Sequence, residues 1–398
     1  MPALSASEPA VQGQGASESK QNGGIVVQRM CDFPKGASYL AVLAAAFVAS
    51  PCFAQSASAP PNHCAPAEGV NFVCGVENPE DIVPVPGTHW LITSGMKPGG
   101  GLKLVDADSK TARPFYTGAQ NELRPDKQMY PHCPAAPDPK TFNTHGIYLR
   151  QTGPAQYNLY AVSHSPYEAV QVFRVEMQGN APALSWSGCV PGIPGYVGNG
   201  VAAYSDGTVL VTVSDRPGTT KAQELAGILI GNVLTWSPGD AGFSVLRGAI
   251  LAGDNGLEIS PDEKEFYVGG FGSGVIGVYS RSNPAQPLRT TKAPGFMPDN
   301  LRWSGNRLLA AGPMFDEPAC GGTRLGVVTS PTRTACHRGY MVAELDPTSM
   351  TWTVVDYSGP NPEMNGVASG VIVGKTLWIG SNTSEGVAYR ALPEPPQE

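Results

Sequence analysis

The sequence is poor in charge and in aromatic residues: Asp, Glu, Lys and Arg make up 15 % of its 398 residues, and Phe, Trp and Tyr 8 %. It has no run rich in Lys or Arg and a formal net charge of −7. That argues against a nucleic-acid surface, which would show as a basic stripe. A long amphipathic helix is also missing; AQELAGIL (222–229) is a weak candidate and reads better as loop and strand. The apolar run YLAVLAAAFVAS (39–50) is too short to span a bilayer. No GxSxG nucleophile elbow and no HExxH helix occur. GSGVIGVYS (272–280) is glycine-bearing but joins strand to strand, so it fails as a dinucleotide-binding loop on context. No cysteine pair has CxxC spacing, which speaks against a structural zinc.

What the chain does have is glycine and proline. Gly 48 and Pro 38 are about 12 % and 10 % of the residues, against averages of roughly 7 % and 5 %. Such a composition favours many short strands and tight turns. Residues 1–29 are Ser/Gly/Gln-rich and read as a disordered extension. Residues 30–54 have the pattern of a secretory signal peptide: Met30, then Lys35, then the short apolar run, then small residues up to Ala54. Met30 is an alternative start. The expected mature chain is exported, to the periplasm or the extracellular space, with no stable membrane span and with no nucleic-acid partner. Residues 55–77 are expected to be an N-terminal segment that closes a ring, and 78–398 the folded domain.

Export makes the cysteines legible. Six remain after the signal, at 64, 74, 133, 189, 320 and 336, an even number suited to disulfides. Cys64–Cys74 and Cys320–Cys336 are favoured because each closes a short Gly/Pro-rich loop, which leaves Cys133–Cys189.

Internal repeats organise the rest. EDIVPVPGTHWLITSG (80–95), HGIYLRQTGPAQYNLYAVSH (145–164) and NGVAAYSDGTVLVTVSD (199–215) share one pattern with NGLEISPDEKEFYVGG (255–270), DNLRWSGNRLLAAG (299–312) and SGVIVGKTLWIGS (369–381). Each is a polar residue, an aliphatic strand, a turn and a second apolar strand. Six units of this size predict an all-β, six-bladed β-propeller. GVNFVCG (69–75) is expected to complete a blade with EGVAYRAL (385–392).

In a propeller the first position of each unit faces one central channel. Here it holds Glu80, His145, Asn199, Asn255, Asp299 and Ser369, with Asn300 following Asp299. A single Asn or Asp before a strand is commonly a turn-former. Turn chemistry does not require Glu, nor equivalence across repeats. Two carboxylates and three amides make a set of hard oxygen ligands of the kind calcium takes. His145 and His164 lie at the same end of two adjacent strands and are the candidate base system for activating water. His63, His89, His132 and His337 have no such alignment.

These motifs resemble the serum paraoxonase/arylesterase family, within the six-bladed gluconolactonase and strictosidine-synthase-like superfamily. The resembling stretches run over about residues 78–392. EDI (80–82), HGI (145–147), NLYAVSH (158–164), NGV (199–201), NGLEISPDEKEFYV (255–268) and DNL (299–301) carry it. The resemblance implies a catalytic calcium held by Glu80, Asn199, Asn255, Asp299 and Asn300. It implies hydrolysis of small-molecule lactones or aryl esters, with His145 and His164 as catalytic residues. It also implies a structural calcium, held partly by Asp81 and by an acid after Asn199. The chain departs from the pattern there, with Gly200, and again after LLAAG, where Pro313 and Met314 replace a further histidine. The insert at 313–339 is expected beside the channel mouth. Two other readings keep the same fold: a sugar-lactone hydrolase of the gluconolactonase kind, and a non-catalytic propeller that uses the metal to stiffen a binding surface.

Overall fold

The computed structural model describes residues 64–214, 216–318 and 337–392, and among these strand alternation and glycine-rich turns produce 24 short strands. The expectations for residues 1–54, for Cys320–Cys336 and for most of the 313–339 insert lie outside the described residues. The first strand, β1 (Asn71–Cys74), belongs to the last blade. Blade one is β2 (Ile82–Pro84), β3 (Trp90–Thr93), β4 (Lys103–Asp106) and β5 (Thr111–Pro114). Blade two is β6 (Thr144–Gly153), β7 (Gln156–Ser163), β8 (Ala169–Gln178) and β9 (Ala181–Pro191). β10 (Gly198–Ala203), β11 (Val209–Val213), β12 (Asn232–Trp236) and β13 (Ser244–Val245) form blade three. β14 (Asp254–Ile259), β15 (Glu265–Gly270), β16 (Val275–Ser280) and β17 (Pro287–Lys292) form blade four. Blade five has β18 (Leu301–Ser304), β19 (Arg307–Pro313), β20 (Tyr340–Leu345) and β21 (Trp352–Ser358). Blade six has β22 (Val367–Val373), β23 (Thr376–Ser381) and β24 (Gly386–Ala391).

The protein is a six-bladed β-propeller: six four-stranded antiparallel sheets, each paired in chain order except the last. There β1 adds to β24, with Asn71 opposite Tyr389 and Cys74 opposite Gly386. One blade is thus built from both ends of the domain, with β1 as its outer strand, which closes the ring. Cys64–Cys74 ties the segment leading into β1, and Cys133–Cys189 ties the loop after β5 to β9.

The core lies between blades. Six apolar clusters each draw on two neighbours: Phe142 and Phe173 between blades one and two, for instance, and Trp378 with Ile82 and Leu91 between six and one. Burial falls from the axis outwards. β10 and β14 are buried along their whole length, whereas β17 and β21 are largely exposed or half-buried. Polar side chains on the inner strands are therefore taken out of water, at a cost unless they are partnered.

One local expectation is corrected. The loop-and-strand reading of 222–229 gives way to a short helix, α1 (Lys221–Leu225), between β11 and β12. Thr220 accepts the Gln223 N–H at its hydroxyl while the Gln223 side chain accepts from the Thr220 N–H. This capping box satisfies donors that a five-residue helix would otherwise leave open.

Candidate metal and histidine site

Four of the channel residues, His145, Asn199, Asn255 and Ser369, are each followed by glycine, and at the first three contact geometry gives the reason. A Cβ at Gly146 would lie 2.4 Å from the Asn199 carbonyl oxygen, one at Gly200 2.6 Å from that of Asn255, and one at Gly256 2.1 Å from that of Asp299. The Gly256 N–H donates to the Asp299 carbonyl at 2.9 Å. Missing side chains let each inner strand close onto the backbone of the next blade, bringing successive channel residues together. Asp254 and Asn255 divide the work of their motif. The Asp254 carboxylate turns back on the chain to accept the Leu251 N–H at 2.6 Å, while the Asn255 side chain lies against the Asp299 carboxylate.

Glu80, Asn199, Asn255, Asp299 and Asn300 are all buried, between 1 % and 8 % exposed. The Asn300 amide donates to Glu80 Oε1 at 2.7 Å, joining residues 220 positions apart. Asn199 donates to the Ser214 hydroxyl at 3.2 Å. Four buried oxygens of this group have no partner: Glu80 Oε2, Asn199 Oδ1, Asn255 Oδ1 and Asp299 Oδ1. The hydroxyl of Ser369, from the sixth blade, is also unpartnered. Buried polar atoms are normally satisfied, so unpaired acceptors from four blades suit a hard divalent cation. Electrostatics agree. Burial, then the charge of Asp299, push the Glu80 carboxyl well above the usual range; burial does the same to Asp299, which Lys221 opposes. A cation among them would hold both ionised.

His145 borders this cluster, its Nε2 3.6 Å from Glu80 Oε1. Its Nδ1 is 2.9 Å from His164 Nε2, and His164 Nδ1 is 2.8 Å from Glu168 Oε1. An ionised carboxylate only accepts, so His164 carries its proton on Nδ1. Neutral His164 then accepts at Nε2 from His145 Nδ1, which leaves the lone pair of His145 at Nε2, towards Glu80. This tautomer is assigned from the hydrogen-bond network. Burial first, then the repulsion a charged His164 would exert and the charge of Lys221, push His145 down to about 3, against the Gly198 carbonyl, so the imidazole is neutral at pH 7.

Glu168 was not among the residues expected from sequence. It is the one acid in HSPYE (164–168), the turn between β7 and β8, and its other oxygen accepts the Gly198 N–H at 3.2 Å. Lys221 was missed as well. Held by Glu224 at 2.8 Å, it brings a positive charge to bear on both His145 and Asp299. His89 stands apart with Asp106 and Asp108 on blade one.

Asp81 does not join the oxygen cluster; its carboxylate pairs with Arg302. Nearby Glu258 is buried, and burial, opposed chiefly by Arg302, lifts its pKa from an ordinary 4.5 to about 7. A raised carboxyl favours the fold while protonated. Its contribution is complete below about pH 4.5 and is lost as pH rises through about 7, roughly 3 kcal/mol in all. Glu258→Gln is expected to flatten part of the fall in Tm between pH 5 and 8, as followed by thermal denaturation. An unchanged slope would show that Glu258 is not the group responsible.

No protein-family model matches the chain. No curated protein matches it either. Among solved structures, a luciferin-regenerating enzyme matches at 14 % identity and a TM-score of 0.47, over 82 % of this chain and 95 % of that one. A protein assigned as a gluconolactonase matches at 15 % identity and 0.45, over 83 % and 95 %. The PQQ-bound aldose sugar dehydrogenase of Streptomyces coelicolor matches at 15 % and 0.44, over 83 % and 99 %. Nothing about the chemistry of the site follows from likenesses this distant.

Proposed function

We propose that the protein is an exported, calcium-dependent hydrolase of lactones or aryl esters. The observation that carries this reading is the set of four unpartnered buried oxygens together with a histidine whose Nε2 lies against the carboxylate of one of them, Glu80. Glu80, Asn199, Asn255 and Asp299 would hold the cation, with Asn300 fixing the Glu80 carboxylate. A calcium ion bound there supplies Lewis-acid polarisation of the substrate carbonyl.

The histidine relay does the proton chemistry. His145 Nε2 takes a proton from water as the water oxygen bonds to the carbonyl carbon. His145 itself is a poor site for positive charge. Its Nδ1 proton passes to His164 Nε2, where the Glu168 carboxylate balances the charge. When the C–O bond of the ester breaks, the leaving oxygen takes a proton back through His145. The two disulfides accord with an oxidising compartment, periplasmic or extracellular, and no helix among the described residues is long and apolar enough to cross a membrane.

The test is turnover of a lactone and an aryl-ester panel by purified protein, with EDTA and then with calcium restored. Chelation is expected to abolish turnover and calcium to restore it. His145→Ala is expected to lower kcat by about 10²–10⁴. Turnover indifferent to both treatments would sink the reading. Calcium-dependent stability with no turnover on any substrate would leave a binding propeller.

A further inference from the structure

We infer that the channel's second cation is built into the chain: the guanidinium of Arg302 occupies the position beside Asp81 and closes it to metal. Asp81 and Arg302 are both buried, at 1 % and 7 % exposure. Asp81 Oδ1 accepts the Ile82 N–H at 2.8 Å. Its Oδ2 accepts the Ile147 N–H at 2.8 Å and a proton of Arg302 Nη2. Three more of the guanidinium's donors go to backbone oxygens. Nε donates to Ile82 at 3.2 Å, Nη1 to Leu301 at 2.6 Å, and Nη2 also to Ile147. One carboxylate and three carbonyls are the kind of oxygen set a calcium ion collects, and here a planar, permanently charged group has collected it. The bonds join blades one, two and five across the axis.

Position 200 makes the exclusion firmer. The structural calcium implied by resemblance needs an acid there, and the chain has no room for one. A Cβ at Gly200 would lie 2.6 Å from the Asn255 carbonyl oxygen, 3.0 Å from Thr212 Oγ1 and 3.2 Å from the Leu257 nitrogen. With that ligand absent, its space taken by backbone, and a fixed positive charge on Asp81, the residues do not fit a second metal. The pairing also differs in kind from the Glu80–Asn199–Asn255–Asp299 cluster, where four acceptors are left open. The two groups thus have separate tasks: the open oxygens would take a removable cation, whereas Arg302 staples three blades with a cation that no chelator removes. This inference rests on the metal reading above only for the ion at the open oxygens.

Two measurements test it on the full chain. Calcium bound per chain, after saturation and desalting, is expected to be one. A count of two would overturn the inference and leave the proposed function standing. A count of zero would sink the proposed metal but agree with a position beside Asp81 that is closed to metal. Separately, wild-type protein in EDTA is expected to keep its near-ultraviolet circular dichroism, since the staple stays in place. Loss of that signal would overturn the inference. Arg302→Met is expected to lower Tm by roughly 5–10 °C in EDTA and in calcium alike, because it strands the buried Asp81. An unchanged Tm would overturn the inference. Should that variant not fold, Arg302→Lys keeps the charge but loses the fork; it is expected to melt below wild type with no gain in bound calcium, and a second bound calcium would overturn the inference.

Discussion

Replacing Glu168 by Gln is expected to lower kcat on lactone and ester substrates by about 10³–10⁴ while changing KM little. The reason is the direction of the hydrogen bonds, not the loss of packing. Glu168 forces the His164 proton onto Nδ1, and this makes His164 Nε2 an acceptor and leaves His145 Nε2 with a lone pair. A glutamine can present its NH₂ to His164 Nδ1 instead. The relay then reverses: His164 donates from Nε2, His145 accepts at Nδ1, and the nitrogen facing Glu80 carries a hydrogen. The base is in place but in the wrong tautomer. Glu168→Asp keeps the acceptor and tests the distance, and it is expected to lose far less. The KM-against-kcat split separates this from a structural role, which would lower Tm and disturb both constants. Equal effects of Gln and Asp would refute the tautomer argument.

The contrast between His145 and Glu168 shows what the sequence could reveal and why. His145, Asn199, Asn255 and Asp299 were readable because a propeller repeats its inner strand, so equivalent sequence positions meet at one axis. The fold and the candidate cluster both followed from that one periodicity. Glu168 belongs to no repeat. Its place depends on how the turn between β7 and β8 folds back to within 2.8 Å of His164, a short-range geometry that carries no periodic signature. Arg302 was hidden for a different reason. In LRWS (301–304) it reads as the polar residue of an alternating strand, and its role appears only once the ring has closed and brought Asp81, 221 positions away, to its guanidinium. Helix α1 was misread because its five residues are stabilised by the Thr220–Gln223 capping box and not by an apolar stripe. The glycines gave a partial signal. The glycine after Asn255 is visible in the NGLEIS motif; that Gly256 abuts the Asp299 carbonyl is not.

This contact supports the other large expectation: Gly256→Ala should disable cation binding without touching a ligand. An added Cβ would sit 2.1 Å from the Asp299 carbonyl oxygen and 2.9 Å from the Asn300 Cα, both backbone atoms. Neither belongs to a flexible side chain that could swing away, so blades four and five must part by roughly 1 Å. The same movement stretches the bond from the Gly256 N–H to the Asp299 carbonyl. Overpacking of this kind costs about 1–3 kcal/mol of stability. The effect on the site is larger in consequence, because Asn255 stands on β14 and Asp299–Asn300 lead directly into β18, the two strands that are forced apart. Calcium affinity, read by titration calorimetry, is expected to fall at least about tenfold, equivalent to roughly 1.4 kcal/mol. Gly359→Ala provides the control, since nothing lies within 4 Å of a Cβ built there, and should change neither Tm nor affinity appreciably. If Gly256→Ala bound calcium as tightly as wild type, the close approach of adjacent inner strands would not be what assembles the cluster.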